Sequence, residues 1–213
     1  MRRIKFGRAL LLTNTDRFWP IAMEPKIPGL EIVKHMQTDN KIDVPGRDPV
    51  PIDYEIDAMR IPEKYSGLGH VLFMEWDAAV LNPNAWQKEF LDYDYIGAPW
   101  VNHHDPGWPP CNETNSVGNG GFCLQSSAFC QKAKEVSELF ANDPGARVHD
   151  SWLCRTMRPW MENNSIKFAP VELAEKFSCE NRVYCGEFGF HGKTTAAMNG
   201  WGGSWLSKIR YDT

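Results

Sequence analysis

No stretch of about 18 apolar residues, the length at which a helix begins to span a bilayer, occurs in the chain, so no membrane span is expected. The basic start MRRIKFGRALLLTNT carries an apolar run only at 9–12, shorter than the core of a secretory signal, and a cytoplasmic location is expected. The six cysteines (Cys111, Cys123, Cys130, Cys154, Cys179 and Cys185) form no CxxC pair and no zinc-finger spacing. In a chain without an export signal they read as reduced thiols, mostly buried, and the sequons at Asn112 and Asn163 then carry no meaning. An excess of positive charge is missing too: 23 Lys and Arg stand against 27 Asp and Glu, so no general field draws the protein to nucleic acid or anionic membrane. Only Arg2, Arg3, Lys5 and Arg8 make a local basic patch. There is no internal repeat, no GxGxxG fingerprint and no Walker lysine after a glycine-rich loop, which leaves a dinucleotide fold and a P-loop without support.

What is present fits one folded domain. The 213 residues are 42% hydrophobic, enough for a sizeable core at this length. Nine tryptophans recur near Gly, Pro and Asn rather than in helical stripes, so most read as core and loop packing. Some, with Trp76 and Trp100 as the candidates, suit the stacking of a sugar ring or a base. The pattern predicts buried strands at 8–13 (RALLLT) and 70–74 (HVLFM), then strands at 93–96, 120–124 and 166–169. Helices are expected over 85–91 with Asn84 as cap, from Ser126 or Ser127 to about 140, over 150–160, and as single turns within 62–68 and over 174–177. Residues 20–62 read as short strands with long connections, and 101–119 as a binding loop or lid. Strands alternating with helices imply an α/β domain with a mainly parallel central sheet.

Four constellations can carry chemistry. Glu75 and Asp77 follow the 70–74 strand directly, and at i and i+2 on a strand both carboxylates reach one divalent cation. The run VGNGGF at 117–122 allows positive φ and a close backbone approach to a ligand around Asn119, Gly120 and Gly121. Asp150, beside His149, sits at a helix start, where an acidic residue is most often a cap; as chemistry it would be a general base. His191, between glycines and flanked by aromatics, is either a buried histidine or a metal or phosphate contact. Arg147, Arg155 and Arg158 lie near Asp150 in sequence and could bind phosphate.

In order, the segments HVLFMEWDAAVLNPNAWQKEFLDYDYIGAPW, VGNGGFCLQS, HDSWLCR, KFAPVELAEKFSCE and FGFHG resemble the DUF5672-type domain of bacteria and phages, described by similarity as glycosyltransferase-like. The likeness covers residues 70–192, and that family resembles a divergent branch of the GT-A superfamily. The resemblance implies a GT-A-like, Rossmann-like mixed but mainly parallel sheet flanked by helices, in one domain over 1–213. Its core would be 1–192 and its Gly- and Trp-rich tail 193–213, with the first strand short or missing. It implies a glycosyltransferase working from a nucleotide-sugar donor, a UDP-sugar favoured, with Mn²⁺ or Mg²⁺ held by Asp77, Glu75 and His191. Gly120 and Gly121, with Asn119, Trp76 and Trp100, would line donor and acceptor, and Asp150 with His149 would be the catalytic base of an inverting enzyme. Glu75 stands where relatives often carry Gln, and His149 where they carry an acidic residue. The acceptor would be a carbohydrate or another hydroxyl, with modified DNA a minority reading. The rival readings are a GT-A-like binding domain without turnover, a metal-dependent hydrolase or nuclease using Asp77, His149, Asp150 and His191, and a structural zinc protein using Cys179, Cys185 and His191.

Overall fold

The structure, a computed structural model, describes residues 9–13, 30–34, 41–42, 50–51, 69–75, 77–100, 111–112, 114–140 and 149–201. Of the first four segments, and of His149, only the backbone is described. The helical turn expected within 62–68, most of 20–62, most of the 101–119 loop, Arg2, Arg3, Lys5, Arg8, Trp76, Arg147 and the tail beyond 201 lie outside the described residues.

The centre is a three-stranded antiparallel sheet. Strands β5 (His70–Met74) and β7 (Tyr95–Gly97) flank β8 (Phe122–Ser126). All five residues of β8 are buried, so both its faces are covered and it shows no polar alternation. Leu72, Leu124 and Ile96 stand level across the strands and join one apolar cluster with Phe90, Phe122, Phe177 and Phe188. Phe73, Cys123 and Tyr95 belong to the other, with Phe129, Val136, Trp152 and Met161. A second sheet orders β6 (Ala78–Val80), β10 (Gly189–His191) and β9 (Ser178–Cys179), with β6 antiparallel and β9 parallel to β10. Near the N-terminus β1 (Ala9–Thr13) pairs in parallel with β2 (Leu30–Lys34), and β3 (Lys41–Ile42) antiparallel with β4 (Val50–Pro51).

The expected α/β domain with a mainly parallel, GT-A-like and Rossmann-like sheet is therefore corrected: the two three-stranded sheets are antiparallel and mixed, with few helices. The physical reason is the connections. Parallel neighbours need a crossover of about a dozen residues or more, usually a helix. The helix expected over 85–91 is instead two 3₁₀ turns, Pro83–Ala85 and Lys88–Asp92, capped at Asn82 rather than Asn84. Between them the chain extends at Trp86 and Gln87, which lets Trp86 meet Phe90 and Phe188 edge to face. Tertiary packing has overridden the helical spacing.

Helix α1 (Ser127–Leu139) begins as expected, with Ser126 Oγ accepting from the Phe129 N–H at 3.1 Å. The helix expected over 150–160 is broken into α2 (His149–Ser151), one π turn (Trp152–Thr156) and α3 (Arg158–Asn163). Pro159 has no N–H to give the carbonyl four residues back, so the regular ladder fails there, and Met157 N–H instead donates to Trp152 O at 2.8 Å. Residues 166–169 form an isolated bridge, Phe168 to Tyr95, rather than a strand. Helix α4 (Val171–Phe177) includes the expected turn, and α5 (Lys193–Met198) follows β10.

Candidate metal centre

The acidic pair is assembled by a turn, not along a strand. Glu75 follows the last residue of β5, and its carbonyl accepts from the Ala78 N–H at 3.1 Å, folding Asp77 back beside it as β6 begins. His191 ends β10, opposite Ala78 in the antiparallel register, which brings its ring to the same place. Nε2 lies 3.4 Å from Glu75 Oε2 and 3.5 Å from Asp77 Oδ1. One ligand atom from each of Glu75, Asp77 and His191 lies within 4.8 Å of the others, the one such group among the described residues. Ligands at right angles on an octahedral ion with bonds of about 2.1 Å are roughly 3 Å apart, so these spacings suit a shared cation.

On the ring's other edge Nδ1 lies 3.0 Å from Glu180 Oε1, and Asn119 Nδ2 donates to the same oxygen at 2.8 Å. Glu180 went unnoticed in the sequence because its position follows from strand register. β9 and β10 pair with Cys179 level with Phe190, so the next residues, Glu180 and His191, meet side by side. The glycines serve a different end from the positive φ expected of them. Gly120 and Gly121 are not among the positive-φ residues, but a Cβ on Gly121 would overlap the His191 ring.

Burial opposes a charge on His191, but the carboxylates of Asp77, Glu180 and Glu75 outweigh it and push the pKa up to about 12. Burial likewise opposes charge on Asp77; His191, together with backbone N–H groups of Asp77 and Lys193, reverses this and holds the carboxyl below its usual range. Asp77 Oδ1 is buried and, with His191 in charge contact only, has no hydrogen-bond partner. Three carboxylates around one imidazolium leave the cluster net negative. An orphaned buried carboxylate oxygen within such a set is the feature a divalent cation would satisfy, and carboxylates with one imidazole suit Mn²⁺ or Mg²⁺.

Asp150 is linked to the acidic turn through the Gly120–Gly121 backbone. Its Oδ2 accepts from Gly120 N–H at 3.2 Å and its Oδ1 from Ser151 N–H at 2.6 Å, while Gly121 O accepts from Glu75 N–H at 2.8 Å. The Gly120–Gly121 turn thus ties Asp150 on one side and the acidic turn on the other. The backbone of His149 opens α2, and its side chain, like Trp76, is outside what is described. Trp100 is only 6% exposed, with the Arg155 guanidinium 4.0 Å from its ring centre. Arg158 is buried against Phe168 and donates to Val117 O and Glu162. It lines a separate cleft of about 340 Å³ with Tyr93, Thr114 and Pro170, away from the cluster. No disulfide joins any of the six cysteines; Cys179 and Cys185 do not join His191, since their Sγ atoms face Arg182 O and Val183 O. Burial pushes Cys123 up to about 12 and raises Cys154, which leaves neither as a ready nucleophile.

Residues 61–193, well over half of the chain, match the family model described as Protein of unknown function (DUF5672). No curated protein and no solved structure matches the chain. No helix among the described residues is long and apolar enough to cross a membrane.

Proposed function

The chain belongs to the DUF5672 family, and from that premise we propose that it is a metal-dependent glycosyltransferase, moving a sugar from a nucleotide-sugar donor to a hydroxyl acceptor. The observation that carries the reading is the Glu75, Asp77 and His191 cluster, with its orphaned Asp77 oxygen, joined through the Gly120–Gly121 backbone to the Asp150 carboxylate. Asp77, Glu75 and His191 would hold Mn²⁺ or Mg²⁺, which when bound neutralises charge on a diphosphate leaving group. The three ligands are each 13–22% exposed at the side chain, so the cluster is reachable from solvent.

The protein's own part is to hold and move a proton. Asp150 accepts the proton of the acceptor hydroxyl as that oxygen bonds the anomeric carbon. The bond from that carbon to the diphosphate oxygen breaks, and its electron pair leaves with the nucleoside diphosphate. The backbone N–H groups of Gly120 and Ser151 fix the orientation of the Asp150 carboxylate. A second reading, a nucleotide-sugar-binding domain without transfer, draws on the same pair of bonds, since both Asp150 oxygens are already engaged. The test is a panel of nucleotide sugars with Mn²⁺, reading release of nucleoside diphosphate. The transferase reading expects release from one donor, a UDP-sugar in the first instance, and none with Asp77→Ala. Metal-dependent donor binding without release selects the second reading, and neither binding nor release contradicts both.

A further inference from the structure

The imidazole of His191 has two nitrogens, and only one of them faces the candidate cation. Nε2 points to Glu75 and Asp77, while Nδ1 is turned to Glu180. The opposite edge of the ring is held by a chain of three bonds whose directions can be assigned. Phe122 N–H donates to Asn119 Oδ1 at 3.4 Å, which fixes the amide with its nitrogen toward Glu180. Asn119 Nδ2 then donates to Glu180 Oε1 at 2.8 Å, and the same oxygen lies 3.0 Å from His191 Nδ1. Asn119 Nδ2 also lies 3.1 Å from Nδ1; with Nδ1 protonated both are donors and neither can accept from the other, so both aim at the carboxylate between them. Asn119 is 3% exposed and Glu180 Oε2 is buried without a hydrogen-bond partner, so water does not compete for this carboxylate.

We propose that Glu180, braced by Asn119, is a positioning residue that fixes His191 with Nδ1–H on Glu180 and the Nε2 lone pair toward the cation. Glu180 does not ligate the ion, because it lies across the ring from Nε2. This rests on the reading of Glu75, Asp77 and His191 as a cation site. The Asn119 side chain, expected to line the donor or acceptor, donates to Glu180. Carboxylates placed behind ligating histidines typically change metal affinity by about 10–100-fold when removed.

The probe is Mn²⁺, titrated by electron paramagnetic resonance into the full chain, with spin-echo modulation reporting whether an imidazole nitrogen is bound to it. Wild type is expected to bind one ion with nitrogen modulation. Glu180→Leu is expected to lose about 10–100-fold in affinity and to lose the nitrogen modulation, leaving weak binding by oxygen ligands. Glu180→Gln, which keeps an acceptor oxygen and loses the charge, should fall between them, and it carries the test where Glu180→Leu does not fold. Wild-type affinity and modulation in Glu180→Gln and Glu180→Leu would overturn the positioning role while leaving the cation site intact. No Mn²⁺ bound by wild type would overturn the cation site and the positioning role with it.

Discussion

Three carboxylates keep His191 protonated in the cation-free protein, with a pKa near 12 against an ordinary 6.5. A group whose pKa is raised on folding contributes its full stability below the unfolded value, and that contribution is lost as pH rises through the folded value. Urea denaturation with chelator present should therefore show lower stability at about pH 9 than at about pH 6, and His191→Gln should shrink the difference. A cation must displace the Nε2 proton, so its affinity should rise with pH and about one proton should be released per ion, measurable by titration calorimetry in buffers of different ionisation enthalpy. Thiol labelling near pH 8 should find Cys185, the exposed cysteine, reactive while Cys123 and Cys154 resist. At this scale Glu75 and Asp77 were legible as carboxylates costly to place after an apolar strand, while His191 was joined to them only by the resemblance of the motifs. Glu180 was not legible, because nothing in KFSCE marks it until β9 pairs with β10.

Elements tell a mixed story. Strands β5 and β8 and helix α1 were readable from apolar runs and a serine cap. Ser126 makes that cap twice useful, since its hydroxyl also donates to Asp94 Oδ1 at 2.6 Å while Asp94 Oδ2 accepts from Lys167 N–H. Ser126→Ala should cost about 1–2 kcal/mol by urea denaturation. The strands that carry the site were not readable: β6, β9 and β10 run two or three residues, too short for a period of two to register. The split of 150–160 follows from Pro159, a signal that was present in the sequence and outweighed by the helical spacing around it. Gly121→Ala should leave the fold in place, because the glycine's φ is ordinary, yet push His191 aside and weaken Mn²⁺ binding. Unchanged Mn²⁺ affinity in that variant would show that the ring has room to spare.

For the molecule as a whole, the order of strands and helical patterns pointed to a mainly parallel α/β sheet, and the two three-stranded sheets proved antiparallel and mixed. Order along the chain does not reveal whether a connection is a crossover helix or a pair of 3₁₀ turns. That was settled by aromatic packing: Phe188 is fully buried and contacts Trp86, Phe90, Phe122 and Phe177. It bridges the two sheets, since it immediately precedes Gly189 of β10 and its ring lies 5.8 Å from that of Phe122, which opens β8. Phe188→Ala should cost roughly 3–5 kcal/mol and weaken cation binding as well, because the cluster is assembled where the sheets meet. The most direct test of the account is an equilibrium titration of Mn²⁺ into wild type and Asp77→Ala at constant pH. The account predicts one ion bound per wild-type chain and no comparable site in the variant, with both proteins folded. Equal binding by both, or none by a folded wild type, would contradict it.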